Sequence, residues 1–249
     1  MKNQNSQSKP RYKFYATLLD AFHYYLRSEA ENAFQEFIDK INRVPFTSEA
    51  AEKGTCFNEL VDMLADNRYD EACAKYKIAE RALRGHEVLT CTHTDRTGNE
   101  WVFDYKKALV WDFAYTYAKS NRQIYTSGHL GTSRGTVELY GYIDELALDT
   151  VVDIKTTSKY EFPKFLHNYQ HLVYPFTLRQ EGLETSSFRY HITDFTNTYI
   201  EDYSFDEERD VKRLKAHVEH LIDFIETYRH LITDKKIFAM EGEEVTVNG

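Results

Sequence analysis

The chain is poor in the residues that build a staple, a membrane span or a nucleotide clamp. Only Cys56, Cys73 and Cys91 are cysteine, an odd and widely spaced set that makes no disulfide framework and fits reduced thiols. Four prolines and ten glycines among 249 residues, against 42% hydrophobic and 15% aromatic residues, exclude a low-complexity chain and favour a packed core. No apolar run approaches the roughly 20 residues of a membrane helix, and no signal-peptide core follows the N-terminal lysine. The expectation is a cytoplasmic protein with no membrane partner. A Gly-x-x-x-x-Gly-Lys-Ser/Thr phosphate loop is missing, so the sequence carries no nucleotide-driven motor of its own.

Positive charge is also short. Lys and Arg total 31 against 40 Asp and Glu, a net charge of −9, which runs against a simple nucleic-acid binder that gains affinity by neutralising phosphates. An enzyme that threads a strand needs only a local basic groove. Lys155, Lys159, Lys164, Arg179 and Arg189 cluster in sequence, and Tyr160, Phe162 and Tyr169 could stack on bases there.

What is present reads as one large domain over 11–240, with 86–122 as a candidate insertion and polar tails at 1–10 and 241–249. An aromatic helix is expected over Tyr12 to Leu26, and a second around Gly54 with Phe57, Leu60, Val61 and Leu64 inward. Strands are expected at 87–92 and 101–105 about a turn at 95–99, then a helix at 107–120 and a strand at 123–130. Strands at 188–193 and 199–204 extend the sheet. Ser204 with Glu207 forms a candidate capping box for a helix striped by Val211, Leu214, Val218, Leu221, Ile222 and Ile225, with His217 and His220 on its solvated face.

The most informative segment is GYIDELALDTVVDIK, Gly141 to Lys155. Val137 to Leu146 and Thr150 to Ile154 read as strands joined by a turn at Leu148-Asp149-Thr150, which brings Asp144 and Asp153 together. Strand alternation puts Asp153 and Lys155 on one face and turns Ile154 into the core. Two carboxylates suit a hard divalent cation such as Mg²⁺, which takes few protein ligands and leaves room for phosphate. A neighbouring ammonium can hold a water and offset phosphoryl charge. An ordinary Asp–Lys pair at a sheet end would look the same in sequence. Downstream, a helix expected from about Pro163 to Leu178 places Gln170 and Tyr174 on one face, aimed at the hairpin.

Gly-x-x-Asp at Gly141–Asp144, Asp-x-Lys-Thr at Asp153–Thr156 and Gln-x-x-x-Tyr at Gln170–Tyr174 resemble, in order and spacing, the RecB-like branch of the PD-(D/E)XK nuclease superfamily. The resemblance implies an α/β fold, a restriction-endonuclease-like mixed β-sheet core flanked by helices. It implies Asp144, Asp153 and the carbonyl of Ile154 as ligands of Mg²⁺ or Mn²⁺, Lys155 as the catalytic lysine, and Gln170 and Tyr174 as residues that shape the site. The family's upstream helix commonly supplies a His in a Gly-x-x-x-His context. Here Gly54 is followed by Asn58, so either Asn58 is a weaker ligand or Glu59 supplies the carboxylate, as in relatives of the phage λ exonuclease type. Some members hold an iron–sulfur cluster on four cysteines; with no cysteine after Cys91, none is expected here.

The function so implied is a metal-dependent deoxyribonuclease, an exonuclease of recombination or repair and of phage or prophage type, with DNA as partner. A helicase, a single-strand annealing protein or further copies of the chain would be its other partners. The alternative is a decayed nuclease fold serving as a DNA-binding or assembly module. His167 and His171, four apart, lack the H-E-x-x-H context of a zinc site.

Overall fold

The structure, a computed structural model, describes residues 9–239; of the tails expected at 1–10 and 241–249, residues 1–8 and 241–249 lie outside them. It is a mixed α/β architecture in which a mixed six-stranded sheet is flanked by helices. In chain order the elements begin with β1 (Tyr12–Tyr15), α1 (Ala16–Arg27), α2 (Ala33–Ile41), α3 (Glu49–Ala65) and α4 (Tyr69–Tyr76). A small antiparallel sheet follows, β2 (Ala79–Leu83), β3 (His86–Thr94) and β4 (Glu100–Lys106), then α5 (Lys107–Thr116). The main sheet continues with β5 (Asn121–Thr132), β6 (Gly135–Ala147) and β7 (Thr150–Thr156). After α6 (Gln170–Gln180) come β8 (Ser187–Thr193), β9 (Thr198–Ser204) and α7 (Glu207–Thr227).

The long strand β6 organises the main sheet. Its buried Val137, Leu139 and Ile143 alternate with Glu138, Tyr140 and Tyr142, the period of a strand with one face on a core. β5 pairs antiparallel along nearly its whole length. The other edge is shared: β1 pairs parallel with Val137–Tyr140, and β7 pairs antiparallel with Glu145–Ala147. Neither reaches residues 141–144, so the sheet forks there. β8 then pairs parallel with β7, and β9 antiparallel with β8.

Two hydrophobic cores lie on opposite faces. One gathers α1, α2, α6 and α7 against the sheet, with Phe14, Leu19, Phe22, Leu139, Val151 and Leu221 among its buried residues. The second joins α3, α4, α5 and the small sheet to β7 through Phe57, Leu60, Tyr105, Phe113, Val152 and Ile154. Residues 86–122 are therefore not a self-contained insertion, because their core is completed by α3 and β7.

Several sequence expectations are corrected. The opening segment is helical only from Ala16, because Tyr12–Tyr15 find a parallel partner in β6. The Gln–Tyr helix begins at Gln170, not near Pro163. Its expected first turns are tied down by buried Glu201, which accepts from the Lys164 and Phe165 amides at 2.7 and 3.1 Å, bonds that draw the chain into an irregular strap. Ser204 ends β9, and Asp206 caps α7 instead, accepting from the Arg209 amide at 2.8 Å with Glu207 and Glu208 in the first turn. His217 is buried: it stacks on Tyr169 at 3.9 Å and bonds the Leu19 carbonyl at 2.9 Å.

Candidate active site

The fork in the sheet brings the hairpin carboxylates together. Beyond Glu145↔Val152, β7 leaves β6 and the Ile154 amide loses its strand partner. Asp144 replaces it, its Oδ2 accepting from Ile154 N at 3.1 Å, so a side chain completes a broken ladder. The opposite ladder is also interrupted there. Arg122 pairs with Glu145 and Ile124 with Ile143, leaving Gln123, at φ 51°, and Asp144 outside the register. Ile143 and Leu146, three apart, consequently both pack on the same core. Such irregularities re-aim a side chain next to the ladder they break.

Asp153, 2% exposed, stands on β7 beside the fork. Its Oδ1 accepts from Gln170 Nε2 at 2.6 Å, and Lys155 Nζ lies 2.7 Å from its Oδ2, an ion pair without the angles of a hydrogen bond. Ile154 turns the other way into the second core. Gln170 also approaches the Tyr174 hydroxyl at 3.5 Å. Asp144, Asp153, Lys155, Gln170 and Tyr174 are thus gathered at one place.

The motif glycines are explained by close approach. A Cβ on Gly141 would stand 2.6 Å from the Tyr174 ring, and one on Gly54 would stand 2.5 Å from Thr156 Oγ1. Both separations lie far inside van der Waals contact. Gly141 therefore lets α6 settle on β6, and Gly54 lets α3 cross the end of β7.

That crossing decides between the two α3 candidates. Asn58 faces the site, its Nδ2 donating to the Ile154 carbonyl at 3.3 Å; this occupies one of that oxygen's two lone pairs. Glu59 is turned away by the helical step. Its carboxylate pairs with Lys75 at 2.6 Å and accepts from the Tyr76 hydroxyl. Glu59 as a ligand is therefore corrected: its charge is engaged on α4, not at the fork.

Electrostatics mark the place as unfinished. Burial, and then Asp153, push the Asp144 carboxyl up to about 7, with Lys155 opposing. Burial works against the Lys155 ammonium, but Asp153 and Asp144 override it and hold its pKa above the ordinary value. Asn58 Oδ1 and Gln170 Oε1 are buried oxygens without a hydrogen-bond donor, and Asp153 Oδ2 has only the Lys155 ammonium beside it. Buried acceptors without partners are uncommon in folded proteins and call for an explanation. Two repelling carboxylates with neutral amide and carbonyl oxygens beside them form a hard-cation donor set. No cluster of three or more His, Cys, Asp or Glu ligands occurs among the described residues.

Two acidic residues were not read from the sequence. Asp62 lies one turn beyond Asn58 on the same side of α3; it accepts from Gln123 at 3.2 Å and contributes to the field at Asp144. Its i+4 spacing from Asn58 was the available signal. Asp20 on α1 accepts from the Tyr169 amide at 2.5 Å, just ahead of Gln170. Burial pushes it up to about 7, and Lys155 and Asp153 lie within its electrostatic reach.

The sequence cluster of cations does not converge here. Arg189 pairs with Asp202 at 2.7 Å and Arg179 with Glu207 at 3.2 Å, while Lys164 is held by Thr157 and the Lys159 carbonyl. Of the three proposed stacking rings, Tyr169 is buried and Tyr160 is stacked on Tyr199 at 4.2 Å, so only Phe162 stands free. No helix among the described residues is long and apolar enough to cross a membrane.

No family model and no curated protein matches the chain. Among solved structures, one match is to the crystal structure of SSO0001. It is 12% identical, with 86% of this chain and 79% of that one covered at a TM-score of 0.41, a likeness too distant to assign a family or an activity.

Proposed function

We propose that this protein is a metal-dependent nuclease of the RecB-like PD-(D/E)XK kind, hydrolysing DNA phosphodiester bonds at the sheet fork. The observation that carries this reading is the close Asp144–Asp153 pair with Lys155 beside it and two further buried oxygens, Asn58 Oδ1 and Gln170 Oε1, without a donor. Asp144, Asp153 and the Ile154 carbonyl would hold Mg²⁺ or Mn²⁺, with Asn58 Oδ1 alongside. When bound, the cation supplies Lewis-acid polarisation of the scissile phosphate.

The remaining work belongs to the chain. Lys155, fixed by Asp153 and a quarter exposed, orients a water and offsets charge on the phosphoryl oxygens. Gln170 holds Asp153 in place, and Tyr174 holds Gln170 against β6. The water oxygen gives up a proton to solvent and forms a bond to phosphorus as the P–O3′ bond breaks. Its electron pair leaves on the 3′ oxygen, which takes a proton from solvent, giving a 5′-phosphate and a 3′-hydroxyl.

A specific observation favours a second reading, a decayed nuclease fold that binds DNA without cutting it: Asn58 stands where the family commonly has His. Degradation of end-labelled linear and closed circular DNA with Mg²⁺, Mn²⁺ or EDTA separates the two. Metal-dependent loss of linear DNA, abolished by Asp153→Ala and by Lys155→Ala, is expected for an exonuclease; cutting of circles identifies an endonuclease. Absence of cleavage with every metal would leave the binding module.

A further inference from the structure

A row of tyrosines leads across the open face of the sheet to the fork. Tyr15 of β1 lies opposite Tyr140 of β6, and Tyr125 of β5 lies opposite Tyr142, so register puts all four rings on one face. Their centroids are 6.3 Å apart for Tyr15–Tyr140, 6.2 Å for Tyr140–Tyr125 and 5.3 Å for Tyr125–Tyr142. Cross-strand packing alone would bury such rings, yet Tyr142 is 58% and Tyr125 44% exposed. Asp144 follows two residues after Tyr142.

The other end of the row opens into a groove of about 730 Å³ bounded by Tyr15, Lys40, Arg43, Phe46 and Arg96. Phe46 is 81% exposed. The carboxylates along this groove are already engaged: Glu52 by His93 at 2.8 Å, Glu59 by Lys75, and Asp95 by its own turn through Thr97 and Asn99. Lys40 and Arg96 have no ion-pair partner among the described residues. Lys13 and Arg43 lie 4.9 Å over the Tyr140 and Tyr15 rings respectively. Lys13 is paired with Glu138 at 2.8 Å and Arg43 with Asp234 at 2.7 Å, so the cations left without an ion pair beside the rings are Lys40 and Arg96, in a protein whose total is −9.

We propose that this row and groove are the track for a single strand of nucleic acid, bases stacking on the tyrosines and phosphates following Lys40 and Arg96 towards Asp144. Stacked rings beside cations take unpaired bases of any sequence, whereas a duplex keeps its base faces hidden. The inference rests on the nuclease reading for the destination of the strand and names the form of substrate that site receives.

The test is fluorescence anisotropy of the full chain with labelled oligothymidylate, oligouridylate and a duplex, all in EDTA. Tyr142→Ala and Tyr125→Ala should each weaken single-strand binding roughly tenfold or more, Tyr142→Phe should keep wild-type affinity, and the duplex should bind less well. Ring-dependent binding of either single strand supports the proposal. Unchanged affinity in the alanine variants, equal loss with phenylalanine, preference for the duplex, or no binding by wild type overturns it. With EDTA excluding cleavage, a strand bound through the tyrosines but left intact in Mg²⁺ removes only the proposed function. Cleavage with ring-independent binding removes only the track.

Discussion

Asp153 and Glu201 occupy one row of the same sheet, joined through Tyr190, which pairs with both. Both are almost fully buried, at 2% and 1% exposure, but they are served differently. Glu201 receives the Tyr160 hydroxyl at 2.9 Å and the Lys164 amide at 2.7 Å on one oxygen, and the Phe165 amide at 3.1 Å and Tyr203 hydroxyl at 2.5 Å on the other. Asp153 receives one amide donor, while its second oxygen has only the Lys155 ion pair. A second carboxylate, Asp144, lies close enough to be pushed up by it. Four donors close the Glu201 carboxylate into the fold; the Asp144–Asp153 pair has fewer, one backbone amide on Asp144 and one side-chain amide on Asp153 beside the Lys155 ion pair.

The sharpest way to break this comparison is substitution at each end of the row. Asp153→Asn or Lys155→Ala should lower cleavage by roughly 100-fold or more while the protein remains folded, read by single-turnover assays beside circular dichroism. Glu201→Ala should leave cleavage by the folded fraction intact but cost about 3 kcal/mol in urea unfolding, because four buried donors lose their acceptor.

A smaller effect distinguishes repulsion from support. Asp144→Asn should raise the melting temperature in EDTA by a few degrees, because it removes a charge held against Asp153, while abolishing any stabilisation by Mn²⁺.

The pH dependence sharpens the same contrast. The Asp144 and Asp20 carboxyls are pushed up to about 7, so the folded protein holds their protons more tightly than the unfolded chain. Their contribution to metal-free stability is present below the unfolded carboxylate range and is lost as pH rises through about 7. Because a cation requires the ionised form, the shift in melting temperature produced by Mn²⁺ should grow from about pH 6 to pH 8. A shift independent of pH would place the cation elsewhere. Smallest of all, Glu59→Gln should change stability by less than about 1 kcal/mol and leave cleavage unaltered, since its Lys75 pair is largely exposed.

The site was legible where it is local. Strand alternation sets Asp153 and Lys155 on one face, and the turn read at Leu148-Asp149-Thr150 closes the hairpin with Thr150 already in β7. The sheet's extension through β8 and β9 was likewise readable from apolar runs. What depends on distant partners was not. Asp20 acts on a residue 149 positions away, and Tyr12–Tyr15 become a strand only because residues 137–140 offer an edge. The strap before Gln170 looks helical until Glu201 is placed beneath it. The sequence left Asn58 and Glu59 as alternatives, and helical phase separates them, since Asn58 and Asp62 share the face that meets the fork. The tyrosine track was invisible for a related reason: its four rings come from three strands.

The most direct test of the account is Mn²⁺ binding followed by electron paramagnetic resonance and by anomalous diffraction from soaked crystals. The account predicts one cation between Asp144 and Asp153 in contact with the Ile154 carbonyl, lost in Asp144→Asn and in Asp153→Asn. Saturating Mn²⁺ with no anomalous peak at the fork, or binding unchanged in both variants, would contradict it.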